Sequence, residues 1–218
     1  MFGHKIYLYL IIADYEMKSK HYVFLCFFLV SASLAVKTSK LNLLADRKYC
    51  GYQHTDDYVR SSNNISIDEF PWMAQLLYDE ERMIRCTGSL INNRYVLTTA
   101  HCLKPQNNDL VAVQLGDYNV KTETDCVKNY HHDTECSDPV QLFNVEEKIV
   151  HPSVNFKKSD NDIGLIRLSR TVQFSDYVRP ICLPDKNSPE LIDGQIMVTS
   201  GWGTLGYHLD VTELKKQL

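Results

Sequence analysis

The sequence predicts an all-β domain, built as an antiparallel barrel or sandwich. Three observations carry this. Short β-prone runs recur from Phe70 onward, turn chemistry closes each of them, and no long helical period interrupts them. The first two runs cover residues 72–78 and 83–90. Asn92-Asn93 then turns the chain into a third run at 95–99. Pro105-Gln106-Asn107-Asn108-Asp109 separates this from a fourth at 110–115. A longer run at 140–150 ends at Pro152-Ser153-Val154-Asn155, and a sixth follows at 163–168.

A second region begins near Thr171. Arg179-Pro180-Ile181-Cys182-Leu183-Pro184 carries two prolines and suits an extended linker. One further strand is expected at 195–200, before Gly201-Trp202-Gly203, and residues 214–218 read as the opening of another. A strand that only opens leaves ladder partners unpaired, so the second region is expected to be truncated.

The net charge is −4, apolar residues make up 44% and charged residues 23%. A nucleic-acid binder should carry a basic surplus, so that class is set aside. The composition is neither disordered nor fibrous. Near the N-terminus, Met17-Lys18-Ser19-Lys20-His21 is basic, residues 22–30 are apolar, and Ser31-Ala32-Ser33-Leu34-Ala35 is small. That is the layout of a secretory signal with cleavage after Ala35. The apolar run is short for a membrane span, so no stable anchor is expected. A second apolar stretch at 6–13 precedes Met17, which leaves Met1 and Met17 as rival starts.

Of seven cysteines, Cys26 falls within the signal. Cys50, Cys86, Cys102, Cys126, Cys136 and Cys182 remain, an even set in a secreted context, and a disulfide framework follows. Their pairing stays open at the level of spacing. The rival is a metal site at His131-His132 between Cys126 and Cys136, but no C-x-x-C pair or spaced histidine cluster supports it.

The chemistry sits in two strings. Leu97-Thr98-Thr99-Ala100-His101-Cys102 presents a histidine just after a β-prone run. Asp160-Asn161-Asp162-Ile163-Gly164-Leu165-Ile166-Arg167-Leu168 presents an aspartate at the head of another. A histidine base with a carboxylate to orient it is the apparatus that activates a serine nucleophile. Beyond Asp162, Ser169, Ser175 and Ser188 lie in strand-end or linker contexts, and Ser200 precedes Gly201-Trp202.

Together with Phe70-Pro71-Trp72, Cys86-Thr87-Gly88-Ser89-Leu90-Ile91, Arg179 to Pro184 and Ser200-Gly201-Trp202-Gly203-Thr204, these strings resemble the trypsin/chymotrypsin family of serine endopeptidases from about Val59 onward. The resemblance implies a double antiparallel β-barrel, the first barrel complete over 59–170, and a linker with the start of a truncated second barrel over 171–218. Residues 1–35 are then the signal region and 36–58 a short pro-segment or linker. It implies His101 as general base and Asp162 as its orienter, in the order of the chymotrypsin type. It also implies the pairs Cys86–Cys102, Cys50–Cys182 and Cys126–Cys136. The last pair, Cys50-Gly51 and Asp68-Glu69-Phe70-Pro71-Trp72-Met73 are similar to the clip-domain proteases of arthropod cascades. Only about fifteen residues separate the expected cleavage site after Ala35 from Cys50, too few for a clip domain, so none is expected there.

The chain also departs from the family. The nucleophile string Gly-Asp-Ser-Gly-Gly does not occur in the 218 residues. With it go the oxyanion donors, worth on the order of 3 kcal/mol of barrier, and the specificity pocket. Where an activation terminus is expected, the residues are Val59-Arg60-Ser61-Ser62; cutting after Arg60 exposes a polar terminus that is costly to bury. Asn64-Ile65-Ser66 is a glycosylation sequon. Asp117, Glu123 and Asp125 lie in a loop that binds calcium in some family members, though a solvated acidic loop is the expectation and no other cofactor is implied. Two functions are therefore expected. One is a secreted, extracellular trypsin-like endopeptidase of protein substrates or cascade partners, inactive as the given chain. The other is a non-catalytic homologue that binds or regulates a protease.

Overall fold

The computed structural model describes residues 44–52, 66–79, 81–104, 109–128, 134–190, 192–203 and 215–217. The signal region 1–35, Val59-Arg60-Ser61-Ser62, Asn64 and His131-His132 lie outside the described residues. All described residues belong to one unit, Leu44–Leu218.

The six runs fold as strands and the sandwich alternative is not adopted. The strands β1 (Met73–Tyr78), β2 (Met83–Leu90), β3 (Tyr95–Thr98), β4 (Leu110–Leu115), β7 (Gln141–Val150) and β8 (Gly164–Leu168) close a barrel in the order β1-β2-β3-β8-β7-β4. Every neighbouring pair is antiparallel, including β4 with β1. Closure removes the open edges that would otherwise invite pairing with other chains. The β2–β3 turn is held by Asn92, whose Oδ1 accepts from the amides of Arg94 and Tyr95, both at 2.8 Å.

Side-chain alternation follows the pleat. In β8, Ile166 and Leu168 are buried while Leu165 and Arg167 are half-buried. Leu76, Leu90, Val96, Val113, Leu115 and Phe143 fill the same interior. Each such side chain contributes about 1.5–3 kcal/mol by leaving water. Arg170 lays its guanidinium over the Phe143 ring at 4.2 Å.

Two elements were not read from sequence. A four-residue helix, α1 (Ala100–Leu103), follows β3. A small hairpin pairs β5 (Cys126–Lys128) with β6 (Thr134–Cys136). The expected strand at 195–200 is shorter in the structure: β9 covers Thr199–Gly201 and pairs with β10 (Lys215–Gln217). Ile196, Met197 and Val198 are apolar enough for a strand but are 77%, 58% and 52% exposed. A ladder needs a partner, and among the described residues β10 is the one that pairs here.

The linker is strapped to the barrel. Ile181 donates its amide to Leu90 O at 2.8 Å, Arg179 to Pro71 O at 3.0 Å and Val172 to Asn93 O at 2.8 Å. Val172 and Val178 bury their side chains. Gly51 donates to Pro180 O at 2.8 Å beside the Cys50–Cys182 bond, which joins the segment before the barrel to the linker after it.

Candidate active site

Strand β3 delivers the chain to Thr99, which is extended (φ −91°, ψ 151°) and begins α1. The turn is fixed from three sides. Thr98 Oγ1 donates to Thr87 O at 2.9 Å. Cys102 is bonded to Cys86 in β2. The Tyr78 hydroxyl donates to Cys102 O at 2.7 Å, and burial pushes that phenol up to about 12. His101 lies on the exposed side of this turn.

Asp162 comes from a tight loop before β8. Asn155 and Asp160 bridge the loop, and Asn161 Nδ2 donates to Ser153 O at 3.0 Å. Ser159 and Asn161 both take left-handed conformations, φ 58° and 53°. Non-glycine residues there carry strain, and asparagine tolerates it best. Gly164 then lets α1 sit close: a Cβ on it would meet Leu103 Cδ1 at 2.5 Å and Ile149 O at 3.1 Å.

These contacts bring together residues 61 positions apart. The His101 amide donates to Asp162 Oδ1 at 2.8 Å, and His101 Nδ1 lies 2.6 Å from Asp162 Oδ2. The side chains are 59% and 22% exposed. The imidazole hydrogen bond, seconded by the backbone amide, holds the Asp162 carboxyl below the usual carboxylate range. An ionised carboxylate only accepts, so Nδ1 carries the proton and, in the neutral ring, the lone pair lies on Nε2. This is the tautomer a general base requires.

The depressed carboxyl fixes the sign of a pH effect. Its contribution to stability is present above the unfolded value, about 3.9, and is lost as the pH falls through the lowered folded value. Asp162→Asn should flatten that acid limb. Thermal midpoints measured across the acid range, in wild type and variant, will show whether the slopes differ; parallel slopes would refute the expectation.

The other expected site residues are placed as follows. The disulfides are Cys86–Cys102, Cys50–Cys182 and Cys126–Cys136, the last directly across the β5–β6 ladder. Cys86, His101 and Cys102 crowd within 4.8 Å, but both sulfurs are in the bond, which leaves one imidazole and no ligand set. Ser175 Oγ accepts from the Tyr177 amide at 3.3 Å, Ser188 Oγ from the Asp185 amide at 2.8 Å, and the Ser200 hydroxyl meets Met73 Sδ at 3.3 Å. The Ser169 amide is bonded to Asn144 O at 3.0 Å.

In the acidic loop after β4, the carboxylates are placed differently from one another. Asp125 Oδ2 accepts from the amides of Tyr118 and Asn119, at 2.8 and 3.0 Å, and its Oδ1 accepts from the Thr122 hydroxyl. Both oxygens of the Asp125 carboxylate are thus engaged by donors of the loop itself. Glu123 is exposed. Asp117 is buried, which raises its pKa, and Oδ2 accepts from Gln114 Nε2 at 2.7 Å. Its Oδ1 is buried without a hydrogen-bond partner.

Comparison with known proteins assigns the family. The family model described as Trypsin matches residues 59–217. The chain belongs to the trypsin family. A CLIP domain-containing serine protease B10 of Anopheles gambiae is 43% identical over 166 residues, covering 72% of this chain and 45% of that protein. A CLIP domain-containing serine protease HP8 of Bombyx mori is 40% identical over 182 residues, 79% of this chain and 48% of that one. The chain thus spans about half the length of the curated relatives it matches. Among solved structures, a Drosophila clip serine protease of the Toll pathway, Grass, superposes with a TM-score of 0.67 at 30% identity, covering 82% of this chain and 51% of that one. The trypsin-like fold and the likeness to clip-domain proteases follow directly, and the first barrel and partial second sheet take their place in that fold.

Sequence reasoning missed the residues that hold the pair in place. Tyr78 lies outside the motif strings, and Thr99 and Gly164 stand inside them with no role of their own until the fold sets them beside the pair.

Proposed function

We propose that this chain supplies the acid–base half of a secreted trypsin-type endopeptidase that cleaves protein substrates in an extracellular cascade. The observation that carries the reading is the two-point hold of Asp162 on His101. In this reading His101 Nε2 takes the proton of a serine hydroxyl as it attacks a peptide carbonyl. Asp162 keeps the ring in the receptive tautomer and stabilises the imidazolium. The same proton then passes to the leaving amine. Three disulfides and a sequon at Asn64 support an oxidising, extracellular setting. The Toll-pathway assignment of the structural neighbour supports a cascade role. The reading invokes no cofactor.

The 218 residues contain no Gly-Asp-Ser-Gly-Gly. By themselves they are expected to hydrolyse no amide and to take no stoichiometric label from a fluorophosphonate that reacts with activated serines. Intact-mass measurement after incubation tests this, and one equivalent of adduct would overturn it. A second reading is favoured by Val59-Arg60-Ser61-Ser62, whose polar character suits burial as an activation terminus poorly. There the chain binds a cascade protease or inhibitor without hydrolysis. Labelling of the product secreted from the native gene separates the two: an adduct supports the endopeptidase, its absence the binding protein.

A further inference from the structure

The lone pair on His101 Nε2 has a neighbour within this chain. Thr99 Oγ1 lies 3.4 Å from His101 Nε2 and 3.0 Å from Cys102 Sγ. Thr99 is half-buried at the start of α1, and its side chain makes no capping bond to the helix. The hydroxyl has one proton and two possible acceptors. A disulfide sulfur accepts weakly, whereas the imidazole nitrogen is a good acceptor. With Nδ1–H committed to Asp162, Nε2 is the nitrogen with its lone pair free to accept.

We propose that Thr99 is a positioning residue for His101, holding the ring at Nε2 while Asp162 holds it at Nδ1. The inference rests on the reading of His101 as general base. An imidazole this exposed has a broad torsion about its last bond, and one hydrogen bond at Nδ1 leaves it free to swing. A second contact across the ring limits that swing. The hydroxyl serves both protonation states. It donates to Nε2 in the neutral ring. When Nε2 is protonated, the N–H donates to Oγ1 and the hydroxyl proton turns to Cys102 Sγ. The hold therefore does not depend on the charge of the base. It engages the same lone pair that a nucleophile must reach, so Thr99 sets where the ring waits before a nucleophile engages it.

The test is nitrogen NMR of the 218-residue chain, with its disulfides intact, at neutral pH. Wild type should show a downfield Nδ1 proton bonded to Asp162, and an Nε2 resonance displaced from the free, unprotonated position toward the hydrogen-bonded one. Thr99→Val keeps the side-chain shape and removes the hydroxyl; it should return Nε2 to the free position and leave the Nδ1 proton in place. Thr99→Ser restores the hydroxyl and should restore the wild-type shift. An Nε2 resonance unmoved by Thr99→Val overturns the proposal while the Nδ1 signal leaves the His101–Asp162 reading intact. Loss of the Nδ1 signal already in wild type overturns both. If Thr99→Val fails to fold, Thr99→Ser and Thr99→Ala are compared instead: equal Nε2 shifts in those two overturn the proposal, and a shift only in Thr99→Ala supports it.

Discussion

Replacing Cys50 and Cys182 together by serine should lower the unfolding free energy by about 5 kcal/mol, the largest stability effect expected of any change here. The two cysteines are 132 residues apart, so the bond closes a loop around the whole barrel. Loop-closure entropy grows with length, and a bond spanning on the order of 100 residues contributes about 4.7 kcal/mol in the chain-entropy account. The Cys86–Cys102 separation of 16 corresponds to about 3 kcal/mol on the same scale. Domains of this size are stable by only about 5–15 kcal/mol, so the long bond is a large share of the total. The native state loses something too. The rest of the strap is held by backbone contacts at Gly51, Val172, Arg179 and Ile181 and by the buried Val172 and Val178, and with the bond gone the mostly exposed stretch 184–190 should be cut by protease faster. Urea unfolding of the double variant against wild type gives the difference; a change below about 1 kcal/mol would show that the unfolded chain is already compact.

The second large effect concerns the pair. In a chain carrying a nucleophile, for instance a hybrid in which residues 1–190 are followed by the remaining half of a related protease, Asp162→Asn should lower kcat about 10⁴-fold, the loss seen for this substitution in a trypsin-type triad. That corresponds to about 5.5 kcal/mol of barrier. The geometry explains why an isosteric change is so costly. Asp162 accepts two N–H bonds, one from the His101 backbone and one from its ring. A carboxamide has one accepting oxygen. If the oxygen keeps the backbone bond, the amide NH₂ faces Nδ1 and selects the tautomer with its proton on Nε2. The ring's lone pair then points at the introduced carboxamide and the base is turned off. KM should change little, because neither atom contacts bound peptide in this scheme. Retained kcat would exclude His101 and Asp162 from the chemistry.

How much of this was legible in the sequence depended on range. The barrel strands were readable because each is a β-prone run with its own turn residues, as at Asn92-Asn93 before β3. The hairpin β5–β6 was not, since Cys126-Val127-Lys128 and Thr134-Glu135-Cys136 are short, mostly polar and paired through their backbone and a disulfide. Helix α1 has four residues, fewer than any periodic pattern can reveal. Residues 196–198 failed in the opposite sense: their composition is that of a strand, but pairing is a property of a neighbour and not of the segment. His101 and Asp162 stood out through motif context, and the structure brings them together. The cysteine pairs could not be deduced from spacing and came only through family resemblance. Thr99 was hidden, because a threonine beside a histidine has no meaning until α1 folds its hydroxyl back toward the ring.

The placement of the pair on β3–α1 and β8 has a consequence for the order of assembly. Thr98 pairs with Gly164, so the last rung of the β3–β8 ladder adjoins both His101 and Asp162. That ladder is also the seam at which the barrel's first three strands meet its last. The His101–Asp162 contact therefore draws on residues from both sides of that seam. Hydrogen exchange at the His101 amide, which Asp162 accepts at 2.8 Å, should therefore report on opening of the β3–β8 ladder.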